Sequence, residues 1–245
     1  MSANGLSPPA SDPSASLDAA VLPPEVRISL LDGFELRCVG ESIALPMASQ
    51  RVVSFLALHT RPLHRAFVAG TLWFSGSDCD AQACLRSALW RVRRACPVTV
   101  LTASRTHVQL APNVAVDVRD QILIARRALD CAVDVDDIVA HQLEGELLPD
   151  WYDDWVSIER ERLRELRLHA LEALAVSLAE GGKYAEAMEA AFAALRADHL
   201  RESGYRTLVR VHLAEGNRSE AIRVLARYRR VASTQARYRS TARSR

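Results

Sequence analysis

A short motif recurs in the second half of the chain at a nearly constant spacing. LAEGG at 178–182 returns 35 residues later as LAEGN at 213–217, and the pair EA at 186–187 returns 34 residues later at 220–221. This period, with a glycine turn between helices and small alanines at tight contacts, is typical of tetratricopeptide-like helix pairs. The second half of the chain is therefore predicted to be all-helical.

Two helix pairs leave apolar surface at their ends, because each pair buries its surface on a neighbour. A long helical pattern at 152–180 can cover one end. The other end, near Val224, Leu225 and Tyr228, needs a cover, and we expect the first half of the chain or a second subunit to supply it. Gly181 and Gly216 are expected to cap the helices that precede them.

The first half of the chain has a different pattern. VRISLL, FELRCV and ESIALP are short alternating runs broken by turn residues, which predict a small antiparallel meander. Three helices follow, in ASQRVVSFLALHT, HRAFVAGTLW and DAQACLRSALWRVRRAC. VTVLTAS and THVQLA then predict a hairpin around Ser104-Arg105. This order indicates an α+β domain followed by an all-α domain.

The third helix is strongly two-sided. At about 100° per residue, Ala81, Leu85, Leu89, Val92 and Cys96 share one side, which we expect to be buried. The opposite side is basic and holds an aromatic residue; it carries Ser87, Trp90 and Arg94, flanked by Arg86, Arg91 and Arg93.

Two interpretations of that basic face remain open. Guanidinium groups suit phosphate oxygens and guanine edges, so the face fits duplex DNA, with Arg105 at the hairpin tip as a second contact. A solvated arginine face is the alternative. Trp90 favours function, because a large exposed aromatic side chain needs a reason, but it could instead pack against the second domain.

These features resemble a known family. VRISLLDGFEL, GTLW, ACLRSALWRVRR and VDV at 116–118 are similar to the OmpR/PhoB-type winged helix of SARP-type bacterial transcriptional activators. LLPDWYDDWV, GKYAEAMEAA and EAIRVLARYRR are similar to the bacterial transcriptional activator domain that follows it. Phe74-Ser75 stand where relatives usually have a proline-acid pair, in a loop that can face RNA polymerase, and Trp90 replaces a smaller polar residue.

The resemblance implies a fold, and the chain divides into four segments. The fold is an α+β winged helix-turn-helix followed by an all-α tetratricopeptide-like helical repeat domain. The resemblance covers a winged-helix DNA-binding domain at 25–116 and an activator domain at 117–231. Segment 1–24, rich in Ser, Pro and Ala, is predicted to be disordered from its composition, and the charge pattern marks a basic tail at 232–245. The tail is either a phosphate-binding arm or the product of a shifted reading frame.

Charge follows the same division. Residues 25–120 hold 11 Arg and 8 acids, residues 121–220 hold 12 Arg and Lys against 20 acids, and residues 221–245 hold 8 Arg and no acid. The asymmetry indicates different partners for the two domains. The implied function is a sequence-specific DNA-binding transcriptional activator that binds double-stranded DNA, with RNA polymerase and a second subunit as further partners. The alternative is a tetratricopeptide-like adaptor whose winged helix no longer reads DNA.

Enzymatic, metal and membrane functions lack support in the sequence. GxSxG and HExxH are absent, and Tyr184 follows Gly-Gly-Lys where a P-loop needs Ser or Thr. The five cysteines form no CxxC pair, so we expect thiols in a reducing cytosol, not a disulfide framework. No apolar run approaches the roughly 20 residues of a membrane span. The sequence thus predicts a cytoplasmic protein that is not an enzyme and has no cofactor or metal.

Overall fold

The computed structural model describes residues 25–74, 76–130 and 137–243. The segment 1–24, expected to be disordered, lies outside the described residues. The strands are β1 (Val26–Ser29), β2 (Glu35–Cys38), β3 (Glu41–Ser42), β4 (Leu63–His64), β5 (Leu101–Ala103), β6 (His107–Leu110) and β7 (Val114–Val116). The helices are α1 (Met47–Ala57), α2 (Arg65–Leu72), α3 (Asp78–Ala95), α4 (Asp117–Leu129), α5 (Asp154–Glu180), α6 (Tyr184–Ala197), α7 (Glu202–Ala214) and α8 (Arg218–Arg243), with a short 3-10 helix at Ala140–Leu143.

The first domain has two small sheets around three helices. The antiparallel meander β1–β3 is confirmed, but β7 extends it by pairing parallel to β1, in the order β3-β2-β1-β7. The predicted hairpin is β5 and β6, and β4 adds a third strand to it. β7 and β4 are too short to be visible in the sequence pattern. The predicted winged-helix fold is confirmed.

The second domain consists of two helix pairs, α5 with α6 and α7 with α8, as the repeat predicts. Gly181 ends α5, but the residue that reverses the chain is Gly182, at φ 76°; Gly216, at φ 86°, has the same role after α7. These positive φ values favour glycine, which has no Cβ. The all-helical, tetratricopeptide-like fold of the second half is confirmed.

Helix α4 joins the two domains. The Asp117 carboxylate accepts hydrogen bonds from the backbone N–H groups of Leu30, Leu31 and Val118. Arg119 donates to the carbonyl oxygens of Leu56, Ala57 and His59, which end α1. Burial raises the pKa of the Asp117 carboxyl and lowers the pKa of the Arg119 guanidinium. The far end of α4 packs into the second domain instead, so the boundary near 116 stays a prediction.

The segment before and at the start of α5 packs back onto the first domain. The Trp155 ring meets Phe55 edge-on at 5.2 Å, and Trp151 lies 6.3 Å from Phe34. Arg51 forms an ion pair with Asp153, the residue before α5. Both tryptophans are buried, whereas the side chain of Tyr152 between them is 89% exposed.

The expectation of free thiols was wrong for two cysteines. Cys38 at the end of β2 and Cys96 at the end of α3 form a disulfide, with Cα atoms 6.2 Å apart. Both are buried, so the first sheet and the third helix are tied together inside the core. Cys79 and Cys84 are free and exposed, and Cys131 lies outside the described residues. Two cysteines 58 residues apart in sequence become neighbours only when the first domain folds.

The first domain does not cover the far end of the helix pairs. It packs against α4 and the start of α5, whereas α8 packs on α7. The expected cover near Val224 is therefore not supplied by the first half of the chain. Within the part of the chain that the structure describes, no helix is long and apolar enough to cross a membrane, and no cluster of potential metal ligands occurs.

Candidate DNA interface

Helix α3 has a well-defined start. The Ser77 hydroxyl accepts a hydrogen bond from the Asp80 backbone N–H at 3.2 Å and donates to the Asp80 carboxylate at 2.7 Å. Asp78 and Asp80 lie in the first turn of the helix, and Arg93 and Arg94 lie in the last turn. Both pairs interact favourably with the helix dipole. The acidic start and basic end therefore stabilise a long helix whose middle is free to carry arginine.

Packing fixes which side of α3 faces outward. The predicted stripe is buried as expected: Ala81, Leu85, Leu89, Val92 and Cys96, joined by Ala88. These side chains pack against α1 and α2. The buried Ser49 hydroxyl of α1 also donates to the Ala88 carbonyl at 3.3 Å. The outward face is consequently held in one orientation.

The outward face is basic. The side chains predicted to contact DNA are all exposed: Arg86, Ser87, Trp90, Arg91, Arg93 and Arg94. None of these arginines forms an ion pair with a carboxylate among residues 25–74, 76–130 and 137–243. Their guanidinium groups therefore keep their full hydrogen-bonding capacity for an external anion.

Trp90 does not pack on the second domain. Its side chain is 60% exposed, and the Arg94 guanidinium lies over its ring, with Cζ 5.4 Å from the centroid. A cation–π contact of this kind orients both side chains on the outer face. The second of the two interpretations of Trp90 is thus wrong.

The hairpin of β5 and β6, which we call the wing, carries Arg105 at its exposed tip. The Ser104 hydroxyl accepts hydrogen bonds from the backbone N–H groups of Thr106 (3.3 Å) and His107 (3.0 Å), which hold the turn. The structure places Arg105 and α3 in one domain, because α3 packs against β5.

Sequence reasoning missed how the wing is supported. The Arg65 backbone N–H donates to the Thr106 carbonyl at 2.8 Å, and its guanidinium reaches the Ser104 carbonyl at 3.4 Å. The His64 and His107 rings meet edge-on at 5.4 Å. The start of α2 therefore braces the wing tip. The only signal was the pair His64-Arg65, whose partners lie about forty residues later in the chain.

Comparisons with known proteins agree with this architecture. Residues 121–236 match the family model of the bacterial transcriptional activator domain. The match covers most of the second domain, which we call the activator domain from here on. Mycobacterium tuberculosis EmbR, solved in complex with a low-affinity phosphopeptide, shares the fold over 86% of this chain, with a TM-score of 0.67 and 20% identity. The chain spans 60% of the length of that EmbR chain. No curated protein matches the chain by sequence.

The activator domain behind a winged helix is the domain order of SARP-type transcriptional regulators. The resemblance drawn from the sequence is thus confirmed by the family match for the second domain and by the fold for both domains. The expectation that the protein is not an enzyme agrees with this family, and stays a prediction.

Proposed function

We propose that the protein is a sequence-specific DNA-binding transcriptional activator. The observation that carries the proposal is the outer face of α3, where four exposed arginines have no carboxylate partner among the described residues. A helix fits the major groove, and arginine forks bind guanine edges and phosphates there. The match of the second domain to the activator-domain family supports a role in transcriptional regulation.

The positions along α3 suggest separate roles. Arg86 and Ser87 lie in the middle of the helix, where we place base contacts, together with Trp90 and Arg91. Arg93 and Arg94 lie in the last turn, where we place phosphate contacts that position the helix. Arg94 is oriented by the Trp90 ring. Base contacts determine sequence preference, and phosphate contacts add affinity on all sequences.

The wing gives a second contact. Arg105 is exposed at the tip of a turn held by the Ser104 hydroxyl. A narrow A·T-rich minor groove has a negative potential that attracts an inserted arginine. We place Arg105 at such a groove beside the major-groove contact.

We place a contact with another protein on the activator domain. RNA polymerase and a second subunit are both proposed partners, since helix-pair repeats commonly present surfaces to other proteins. The contacts of α4 and Trp155 with the first domain would link such a contact to the winged helix.

We expect Arg86→Ala and Arg94→Ala to weaken duplex binding without unfolding the protein, because both side chains are exposed. Arg86→Ala should cost roughly 1–3 kcal/mol on the preferred site and little on other sequences. Arg94→Ala should weaken binding to all sequences alike. Gel shift on the preferred and scrambled duplexes measures both effects, with Arg229→Ala on α8 as an exposed control. Unchanged binding by both variants would remove α3 from the interface.

A further inference from the structure

An open groove lies on the activator domain, and no residue of the winged helix lines it. It is lined by residues of α6, α7 and α8 and has a volume of about 660 Å³. We call it the α6–α8 groove. It corresponds to the end of the helix pairs that the first domain leaves uncovered.

The floor of the α6–α8 groove is apolar. The side chains that line it include Met188, Phe192, Leu195, Leu208 and Val224. Phe192 is 40% exposed, whereas phenylalanine side chains are usually buried. Exposed aromatic and methionine surface in a concave site is characteristic of binding grooves.

The rim of the groove is basic. Arg223, Arg227 and Arg230 follow the spacing i, i+4, i+7 on α8, so they form a row about 10 Å long beside the apolar floor. Arg223 pairs with Glu220, whereas Arg227 and Arg230 have no ion-pair partner among the residues that the structure describes. Residues 121–220 carry 20 acids against 12 basic residues, so this row is opposite in sign to the domain around it.

Together, these features select the chemistry of an occupant. A single small anion cannot meet a row of guanidinium groups 10 Å long and fill an apolar floor beside it. An amphipathic helix can do both, with apolar residues in the groove and acidic residues at matching turns along its edge. The basic row requires a partner with negative charge, and the apolar lining requires that partner to have an apolar face.

We propose that the α6–α8 groove binds an acidic amphipathic helical segment of another protein. Phe192 and Val224 contact its apolar face, and Arg227 and Arg230 pair with its carboxylates. This contact is separate from the α3 face and does not depend on DNA binding.

The test uses the full chain and a labelled synthetic helical peptide of about 16 residues, roughly four turns, with leucines on one face flanked by glutamates. A matched peptide has lysine at each glutamate. Fluorescence anisotropy should show binding of the acidic peptide only, weakened by salt. Arg227→Glu, Arg230→Glu and Phe192→Ser should each weaken it about tenfold. Arg229→Glu makes the same charge change on the same helix, away from the groove lining, and should leave binding nearly unchanged.

Four results would overturn the proposal. They are equal binding of both peptides, an equal loss with Arg229→Glu, an unchanged affinity with Phe192→Ser, and no binding of the acidic peptide. Light scattering on the same variants addresses a second copy as the occupant. A dimer that Arg227→Glu dissociates, in a chain that does not bind the peptide, would assign the groove to self-association.

Discussion

Replacing Trp155 with alanine is expected to lower the free energy of unfolding by about 3–5 kcal/mol. Trp155 belongs to α5 of the activator domain, yet its ring is buried against Phe55 of α1 and Trp151. Removing it leaves a cavity where the two domains meet. Chemical denaturation followed by circular dichroism measures the loss, and it should show the whole chain unfolding in one transition.

Trp90→Ala is the matched control, because it makes the same change on an exposed side chain. It should alter stability by only about 0.5 kcal/mol or less. Trp155→Phe should cost less than Trp155→Ala, since it keeps much of the ring and removes an indole N–H that has no hydrogen-bond partner among the described residues. Equal stability of Trp155→Ala and Trp90→Ala would contradict a stabilising contact between the two domains at Trp155.

Reducing the Cys38–Cys96 disulfide is expected to cost about 4 kcal/mol of stability in the chain-entropy treatment of cross-links. The bond closes a loop between residues 58 apart and ties β2 to the end of α3. Reduction raises the conformational entropy of the unfolded chain. It also removes the cross-link at the end of the helix that carries Arg93 and Arg94. Thermal unfolding with and without a thiol reductant measures the difference.

Two double variants control the disulfide experiment. Cys38→Ala/Cys96→Ala should be less stable and insensitive to reductant, whereas Cys79→Ala/Cys84→Ala should respond as the unaltered chain does, because both cysteines are exposed and free. If the unaltered chain unfolds identically with and without reductant, the bond does not contribute to stability.

Local pattern was sufficient to predict α3 and the wing. The 3.6-residue period identified Leu85, Leu89 and Val92 as buried, and this in turn put Arg86 and Arg94 outside. Short alternating runs on either side of Ser104-Arg105 identified β5 and β6. In both cases, the spacing of apolar residues within a single helix or strand is enough to identify the buried face.

Features that depend on distant partners could not be predicted. β7 pairs with β1 across more than eighty residues, and three residues carry too little pattern to reveal a parallel strand. The Cys38–Cys96 pair follows from packing, since spacing alone does not give connectivity. Periodicity also does not show which residue Trp155 packs against, because its partner Phe55 lies in the other domain.

The central claim is that the outer face of α3 reads duplex DNA, and one titration tests it most directly. The full chain is titrated by fluorescence anisotropy against a duplex selected from a random pool and against a scrambled duplex, at several salt concentrations. Roughly six phosphate contacts predict a log–log salt slope near about −5. The selected duplex should bind about a thousandfold or more tighter than the scrambled one at near-physiological salt. Equal affinity for both duplexes, or a slope near zero, would contradict the claim and favour an adaptor whose winged helix does not read DNA.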